Sequence, residues 1–365
     1  MVTLADVFRQ HAPDYQSAFA TEHLPSHERA IRAIIHCRTE ALGGHVFRCT
    51  ACDHTAFRFH SCRNRHCPQC QGDKAQQWLA RQKEMLLPVP YFLLTFTLPA
   101  PLRLLARSHR TLFYSLLFRA SAAATQQLAQ NPRWLGGQIG MVGVLHTWGR
   151  NLSFHPHVHY LVPAGCWDGQ LWRYGRSSRF FLPVHALSRL FRAKFRDALK
   201  RSDCFDQVPA EVWRKDWVVH CQPVGRGKRA LTYLAAYVFR VALSNHRLVS
   251  CSQRAVTFRY RPSGTQQWRF CTLPPLEFMR RFLQHVLPKG FVKVRYYGFF
   301  SPGHRQTLAQ ICCFLTSYPS SDSPVEKKPP KQLDQKPLWA CCPICGEVLH
   351  FVRSIPSPKR HWQPP

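Results

Sequence analysis

Acidic side chains are scarce in this 365-residue chain: 19 Asp and Glu stand against 50 Lys and Arg, a formal net charge of +31. Such an imbalance calls for a polyanionic partner, either a phosphate backbone or an anionic membrane face. Long apolar runs are also missing. Pro99 and Arg103 interrupt the longest candidate, residues 91–105, which excludes a spanning helix of about 18 or more apolar residues. Residues 1–10 lack both a basic start and an apolar stretch, so no secretion signal is read. With no membrane-surface helix standing out, nucleic acid is the favoured polyanion, and a soluble intracellular, cytoplasmic protein is expected. Core-forming residues are not lacking: 45% of the chain is hydrophobic. The length suggests two or three packed domains rather than a disordered basic arm.

The chain has 16 cysteines. In a reducing compartment, repeated Cys-x-x-Cys spacing reads as zinc binding rather than as a disulfide framework. Cys49, Cys52, Cys67 and Cys70 are expected to surround one tetrahedral structural Zn²⁺. Cys37, His45, Cys62 and His66 are left over, as core residues, as support for the ligands or as another site. Arg63, Arg65 and Lys74 flank the thiols and are candidates for phosphate contacts. Cys342 and Cys345 form half of a second site. Its completion by Cys341, His350, His361, Cys312 or Cys313 stays open.

Patterning divides the chain into a helical and zinc-binding N-terminal domain (1–87), a central domain (88–316), a Ser-, Pro- and Lys-rich linker (317–337) and a C-terminal tail (338–365). Ser26 is a candidate helix cap near the start. Residues 91–98 read as a buried strand, 101–130 as helix and 140–148 as a strand turning at Gly149-Arg150-Asn151 into residues 154–162. Beyond these lie a loop or hairpin at 165–179, a helix at 187–200 and a strand at 217–221. Strands follow at 247–251, 255–260 and 267–273, then a helix at 274–287, a strand at 291–299 and a closing helix at 303–315. Tyr296 and Tyr297, beside Lys293 and Arg295, are candidates for stacking on and neutralising single-stranded DNA. Core packing is the plain alternative.

The chemistry centres on Phe154-His155-Pro156-His157-Val158-His159. Alternation along a strand sends all three imidazoles to one face, where they are suited to a divalent ion. His157 and His159 are the first candidates. His155 ranks ahead of His146 as the third ligand on strand geometry. Downstream, residues 233–240 lack glycine and proline and read as a helix, on which Tyr233 and Tyr237 share a face four residues apart. Histidines that only hydrogen-bond and tyrosines that only pack are the ordinary readings of the two motifs.

Pro156-His157-Val158-His159 followed by Tyr160-Leu161-Val162 resembles the histidine-hydrophobic-histidine motif of HUH single-strand endonucleases. The tyrosine pair resembles the two-tyrosine branch of that superfamily, the IS91-like transposases. Ser61-Cys62-Arg63-Asn64-Arg65-His66-Cys67-Pro68-Gln69-Cys70, Gly143-Val144-Leu145-His146-Thr147-Trp148-Gly149 and His285-Val286-Leu287-Pro288-Lys289-Gly290-Phe291 are similar to stretches of the same family, in the same order.

The resemblance implies an α+β fold with a central antiparallel sheet of the HUH-endonuclease (ferredoxin- or RRM-like) type, flanking helices and a small zinc-binding domain. It implies a catalytic Mg²⁺ or Mn²⁺, nucleophiles at Tyr233 and Tyr237, and nicking and rejoining of single-stranded element ends through a 5′-phosphotyrosine. No helicase segment is seen, so host replication or helicase proteins are expected to unwind the substrate. A replication initiator or relaxase, a water-using metal nuclease and a non-catalytic zinc-containing DNA-binding protein are the alternatives.

Overall fold

A computed structural model describes residues 2–21, 24–70, 78–80, 82, 85–177, 179–226, 238, 241–262, 264–318 and 340–358. The first helix, α1 (Leu4–Ala18), opens on a capping box: Thr3 Oγ1 accepts from the Asp6 amide at 3.2 Å, and the Asp6 carboxylate accepts from the Thr3 amide at 2.9 Å. The next, α2 (Pro25–His36), departs from expectation. Leu24 is its cap residue, Ser26 makes no cap hydrogen bond, and Pro25 takes the first turn, where its missing N–H costs nothing. A hairpin of β1 (Gly44–Cys49) and β2 (Thr55–Phe59) follows.

The central part begins with β3 (Pro90–Thr97), continues through the short α3 (Arg103–Ser108) and the long α4 (Arg110–Gln130), and returns as β4 (Gly140–Trp148) and β5 (Phe154–Pro163). The small hairpin of β6 (Gly165–Trp167) and β7 (Trp172–Tyr174) precedes α5 (Val184–Leu199) and β8 (Val219–Arg226). Then come β9 (Leu248–Cys251), β10 (Val256–Tyr260), β11 (Arg269–Leu273), α6 (Pro275–Leu283), β12 (Val294–Gly298) and α7 (Arg305–Ser317), with β13 (Leu349–Ile355) in the C-terminal segment.

The main sheet has the order β12-β4-β5-β3-β8 with every neighbour antiparallel. The fold is therefore α+β, and the histidine strand lies at its centre. Period-two alternation gives β5 two different faces. Val158, Tyr160 and Val162 sink into a core with Phe92, Leu94 and Phe96 of β3 and the apolar sides of α4 and α5. The Tyr160 hydroxyl is 2.8 Å from Ser121 Oγ and donates to the Phe118 carbonyl at 3.1 Å, so the buried polar atom is satisfied. Gly143 makes room for that ring, because a Cβ there would stand 2.6 Å from it.

The opposite face carries the histidines and, further along, Val142, Val144 and Leu161, which pack with Phe299, Phe300 and Ile311. A second sheet, β11-β10-β9, packs with α1, α2 and α6 in a separate core. Among the described residues no helix is long and apolar enough to cross a membrane.

Several elements differ from the sequence reading. The strand expected at 217–221 starts two residues later and runs to Arg226, because Ser188 Oγ holds both the amide and the carbonyl of Trp217. Pro223 is tolerated in β8 because that strand is an edge and its register shifts at this point. The C-terminal segment is no separate tail, since β13 pairs with β1 and completes a sheet of order β13-β1-β2. Tyr296, Tyr297, Lys293 and Arg295 do not form a surface platform. Tyr297 packs against Tyr160, Arg295 lies over Phe118 at 4.4 Å, Tyr296 packs against the opposite core and the half-buried Lys293 donates to the Val238 carbonyl.

Candidate metal centre and cleft

The β4–β5 hairpin sets its two strands so that His146 faces His157 directly, with His159 on the same face. Ring centroids are 5.5 Å apart for His146 and His157, 5.1 Å for His146 and His159, and 4.8 Å for His157 and His159. Donor nitrogens of all three lie within 4.8 Å of one another. His157 Nδ1 donates to the His155 carbonyl at 2.6 Å, and His159 Nδ1 meets Thr95 Oγ1 at 2.9 Å. These bonds orient both rings, as groups behind a metal-bound histidine do.

The third member differs from expectation. His155 belongs to another contact, its Nδ1 accepting from Arg103 at 2.7 Å. Burial, together with that guanidinium, pulls its pKa below the ordinary value. His146, buried and stacked on Trp148 at 4.7 Å, takes the place assigned to it. Strand alternation alone favours His155 because it ignores the neighbouring strand.

The triad floors a cleft of about 480 Å³ whose walls include Thr97, Asn151, Arg150, Arg247 and Tyr260. Among the described residues no carboxylate lines it. Imidazoles suit ions such as Zn²⁺, Fe²⁺ and Ni²⁺ better than oxygen-seeking ones; of the two ions expected, both oxygen-seeking, Mn²⁺ accepts nitrogen ligands more readily than Mg²⁺.

Behind the cleft, Leu152 adopts φ 63° in the hairpin turn, a conformation uncommon for a bulky side chain. It is buried, and its carbonyl accepts from Gln284 Nε2 at 2.9 Å and lies 3.2 Å from His285 Nε2. His285 Nδ1 is 3.2 Å from Thr147 Oγ1. Residues just beyond α6 thus clamp the turn that sets the histidines. In the sequence His285 stands out only within a family-like stretch, and Gln284, Thr95 and Arg103 carry no local signal because their roles arise from distant packing. Tyr233 and Tyr237 lie outside the described residues.

The four cysteines expected around a single ion are divided. Cys67 and Cys70 join Cys37 and Cys62, all four buried, with Cys62 and Cys70 sulfurs 3.7 Å apart. That spacing is close to the edge of a tetrahedron with metal–sulfur bonds of about 2.3 Å, so the cluster fits Zn²⁺. Cys49 and Cys52 lie elsewhere, against the C-terminal segment. The root of the β1–β2 hairpin brings Cys37 beside the 60s, with the Arg38 amide donating to the His60 carbonyl at 3.1 Å. Its tip carries Cys49 and Cys52 away.

Arg65, expected near phosphates, instead donates to the carbonyls of Phe291 and Pro288 at 2.5 and 2.9 Å, and His66 Nε2 accepts from the Leu287 amide at 3.2 Å. Lys74 lies outside the described residues.

Residues 140–307 match a family model described as "Putative transposase" and residues 7–98 one described as "Transposase zinc-binding domain". The chain is 38% identical to the "Putative transposase y4qJ" of Sinorhizobium fredii, an alignment covering 98% of each protein. The chain belongs to the IS91-like transposases. It is also 29% identical to the transposase for insertion sequence element IS801 of Pseudomonas savastanoi pv. phaseolicola, across 74% of this chain and 69% of that protein. No solved structure matches. In this transposase the first family match spans the histidine hairpin and the segment of both tyrosines, and the second spans the buried cysteine cluster.

The clamp on Leu152 has a measurable consequence. Burial holds the His285 pKa down to about 3 in the folded state, whereas an unfolded histidine titrates near 6.5. The unfolded chain therefore takes up the extra proton as pH falls below about 6.5, and His285 costs about 1.4 kcal/mol of stability per pH unit on the way down to about 3. Chemical denaturation of wild type and His285→Gln between pH 7 and pH 4 is expected to give a shallower acid loss for the variant, by about that slope.

Proposed function

We propose that this transposase nicks and rejoins single-stranded DNA at the ends of its element through a 5′-phosphotyrosine. The observation that carries the reading is the His146–His157–His159 triad on the floor of an arginine-walled cleft with no carboxylate among its described residues. A divalent ion held by these imidazoles supplies Lewis-acid polarisation of the scissile phosphate. Arg150 and Arg247, held in the cleft wall by hydrogen bonds to the carbonyls of Arg261 and of Arg259 and Arg150, bring the positive charge that attracts the phosphate backbone. A phenolic oxygen of Tyr233 or Tyr237 attacks phosphorus, forming the Tyr–O–P bond and breaking the bond to the 3′ oxygen, which leaves as a hydroxyl after taking a proton. The phosphotyrosine keeps the bond energy for the later joining step. Two tyrosines four residues apart serve two successive strand exchanges, and host proteins open the duplex.

Support for the tyrosine segment comes from its neighbour. Val238, next in sequence to Tyr237, is buried in the same cluster as Val142, Val144 and Leu161, on the histidine face of the sheet. Its carbonyl accepts from Lys293 Nζ at 3.0 Å. Burial brings the Lys293 pKa down to about 7, and its ammonium lies 5.3 Å from the centre of the Trp148 ring.

The test uses oligonucleotides carrying an element end, with Mn²⁺, and reads covalent protein–DNA adduct on denaturing gels. Wild type is expected to form adduct and Tyr233→Phe/Tyr237→Phe none. His146→Ala, His157→Ala and His159→Ala are each expected to lose about 100-fold or more in cleavage, with His155→Ala staying within about 10-fold. Chelation is expected to abolish cleavage and spare binding. Adduct from the double tyrosine variant refutes the nucleophiles, and binding without adduct from wild type marks a non-catalytic protein.

The sheet that contributes Tyr260 to the cleft carries a second nucleic-acid signature on its outer side. Trp268 is 41% exposed, with the guanidinium groups of Arg261 and Arg259 at 4.4 and 4.8 Å from its ring, and Phe270 is 65% exposed. Exposed aromatics bracketed by cations suit base stacking. Trp268→Ala is expected to weaken single-strand binding by about 1–3 kcal/mol in a fluorescence-anisotropy titration, the range for one lost stacking partner. The cleavage rate at saturating DNA is expected to stay unchanged.

A further inference from the structure

Cys49 and Cys52 face Cys342 and Cys345 across the end of the β13-β1-β2 sheet. The Cys49 and Cys345 sulfurs are 3.4 Å apart, those of Cys52 and Cys342 3.6 Å, and all four lie within 4.8 Å of one another. A tetrahedral Zn²⁺ with four thiolates at about 2.3 Å requires sulfur separations of about 3.8 Å. A disulfide requires about 2.05 Å. The observed spacing is that of a metal site.

The two pairs also share a local shape. In the first, the Cys49 amide donates to the His54 carbonyl at 2.9 Å, and Asp53, directly after Cys52, has φ 57°. In the second, the Cys342 amide donates to the Glu347 carbonyl at 2.6 Å, and Gly346, directly after Cys345, has φ 80°. The Ile344 amide also points at Cys342 Sγ, at 3.5 Å, the kind of hydrogen bond that favours a thiolate. Two turns of one form, each presenting two sulfurs, therefore meet face to face although 290 positions separate Cys52 from Cys342.

Packing alone gives little to hold them together. The local core consists of Cys49, Ala56, Cys342 and Leu349 with Phe47 against it, far smaller than a unit that stands without a staple. We propose that Cys49, Cys52, Cys342 and Cys345 bind a second structural Zn²⁺, a clasp that fastens the C-terminal segment to the N-terminal hairpin. The soft four-thiolate set selects zinc over harder ions. The matched zinc-binding model ends at residue 98, so half of this ligand set lies outside it.

Metal analysis of the full chain, purified under reducing conditions, tests the clasp without any DNA substrate. Wild type is expected to hold about two zinc ions, both Cys342→Ser/Cys345→Ser and Cys49→Ser/Cys52→Ser about one, and Cys341→Ser about two. Cys345→His keeps a competent ligand and is expected to retain both ions. Amide exchange in β13 is expected to quicken in the Cys342→Ser/Cys345→Ser variant and not in Cys341→Ser. A wild-type content of about one zinc, a Cys342→Ser/Cys345→Ser variant that keeps two, or loss of an ion from Cys345→His as from the double serine variant overturns the proposal.

Discussion

The register between β4 and β5 is the constraint on which the site depends. Side chains alternate along a strand, so a one-residue slip would turn His146 into the apolar core and bring Leu145 to the cleft. Three features resist that slip. Gly143 lets the Tyr160 ring cross β4, the pairing shifts between His146 and Trp148, and Leu152 is held in a conformation that would relax if Gln284 and His285 released its carbonyl. An unfavourable backbone conformation persists only where its surroundings over-determine it, and here they do so within the turn that aims the histidines.

The same clamp connects the histidines to the buried cysteine cluster. Arg65 and His66, between Cys62 and Cys67, grip the backbone at Leu287, Pro288 and Phe291. A few residues earlier, Gln284 and His285 grip Leu152. A metal-stapled loop thus braces a second loop, which braces the hairpin turn. The zinc-binding domain is part of the scaffold of the histidine site and not a module tethered beside it. Arg65, spent on carbonyls, illustrates the distinction: a guanidinium next to zinc ligands has the charge for DNA but here turns both terminal nitrogens to a structural joint.

What the sequence disclosed is what short-range periodicity encodes. Alternation along residues 154–162 exposes the histidine face, the short turn at Gly149 implies an antiparallel partner, and the apolar runs mark the helices of the core. What it concealed required partners far away in the chain. Arg103 captures His155, His146 becomes the third member of the triad through pairing, and Cys37 and Cys62 separate the two Cys-x-x-Cys pairs that spacing had joined. Spacing is a measure along the chain, and a hairpin that carries one pair on its tip is enough to defeat it. The inward turn of Lys293 and Arg295 follows the same rule, since a basic and aromatic run looks alike whether it lies on a surface or over Phe118.

The electrostatics of the cleft set a further condition on the proposed reaction. Three neutral imidazoles bring no charge to offset a divalent ion, and Arg150 and Arg247 add positive charge to the same space. A divalent ion in this site would therefore be held weakly while the cleft is empty of anions, because its own field and the arginines repel. A phosphate entering the cleft reverses that balance, neutralising the guanidinium groups and offering oxygen ligands to the ion. Affinity for the ion and affinity for the DNA strand are then coupled, and linkage requires the coupling to be equal in both directions. A carboxylate in place of one histidine would weaken this coupling by paying the ion's charge in advance. On the proposed reaction the neutral triad would leave that task to the substrate, and the cleft would be completed as a binding site only when the strand to be cut lies in it.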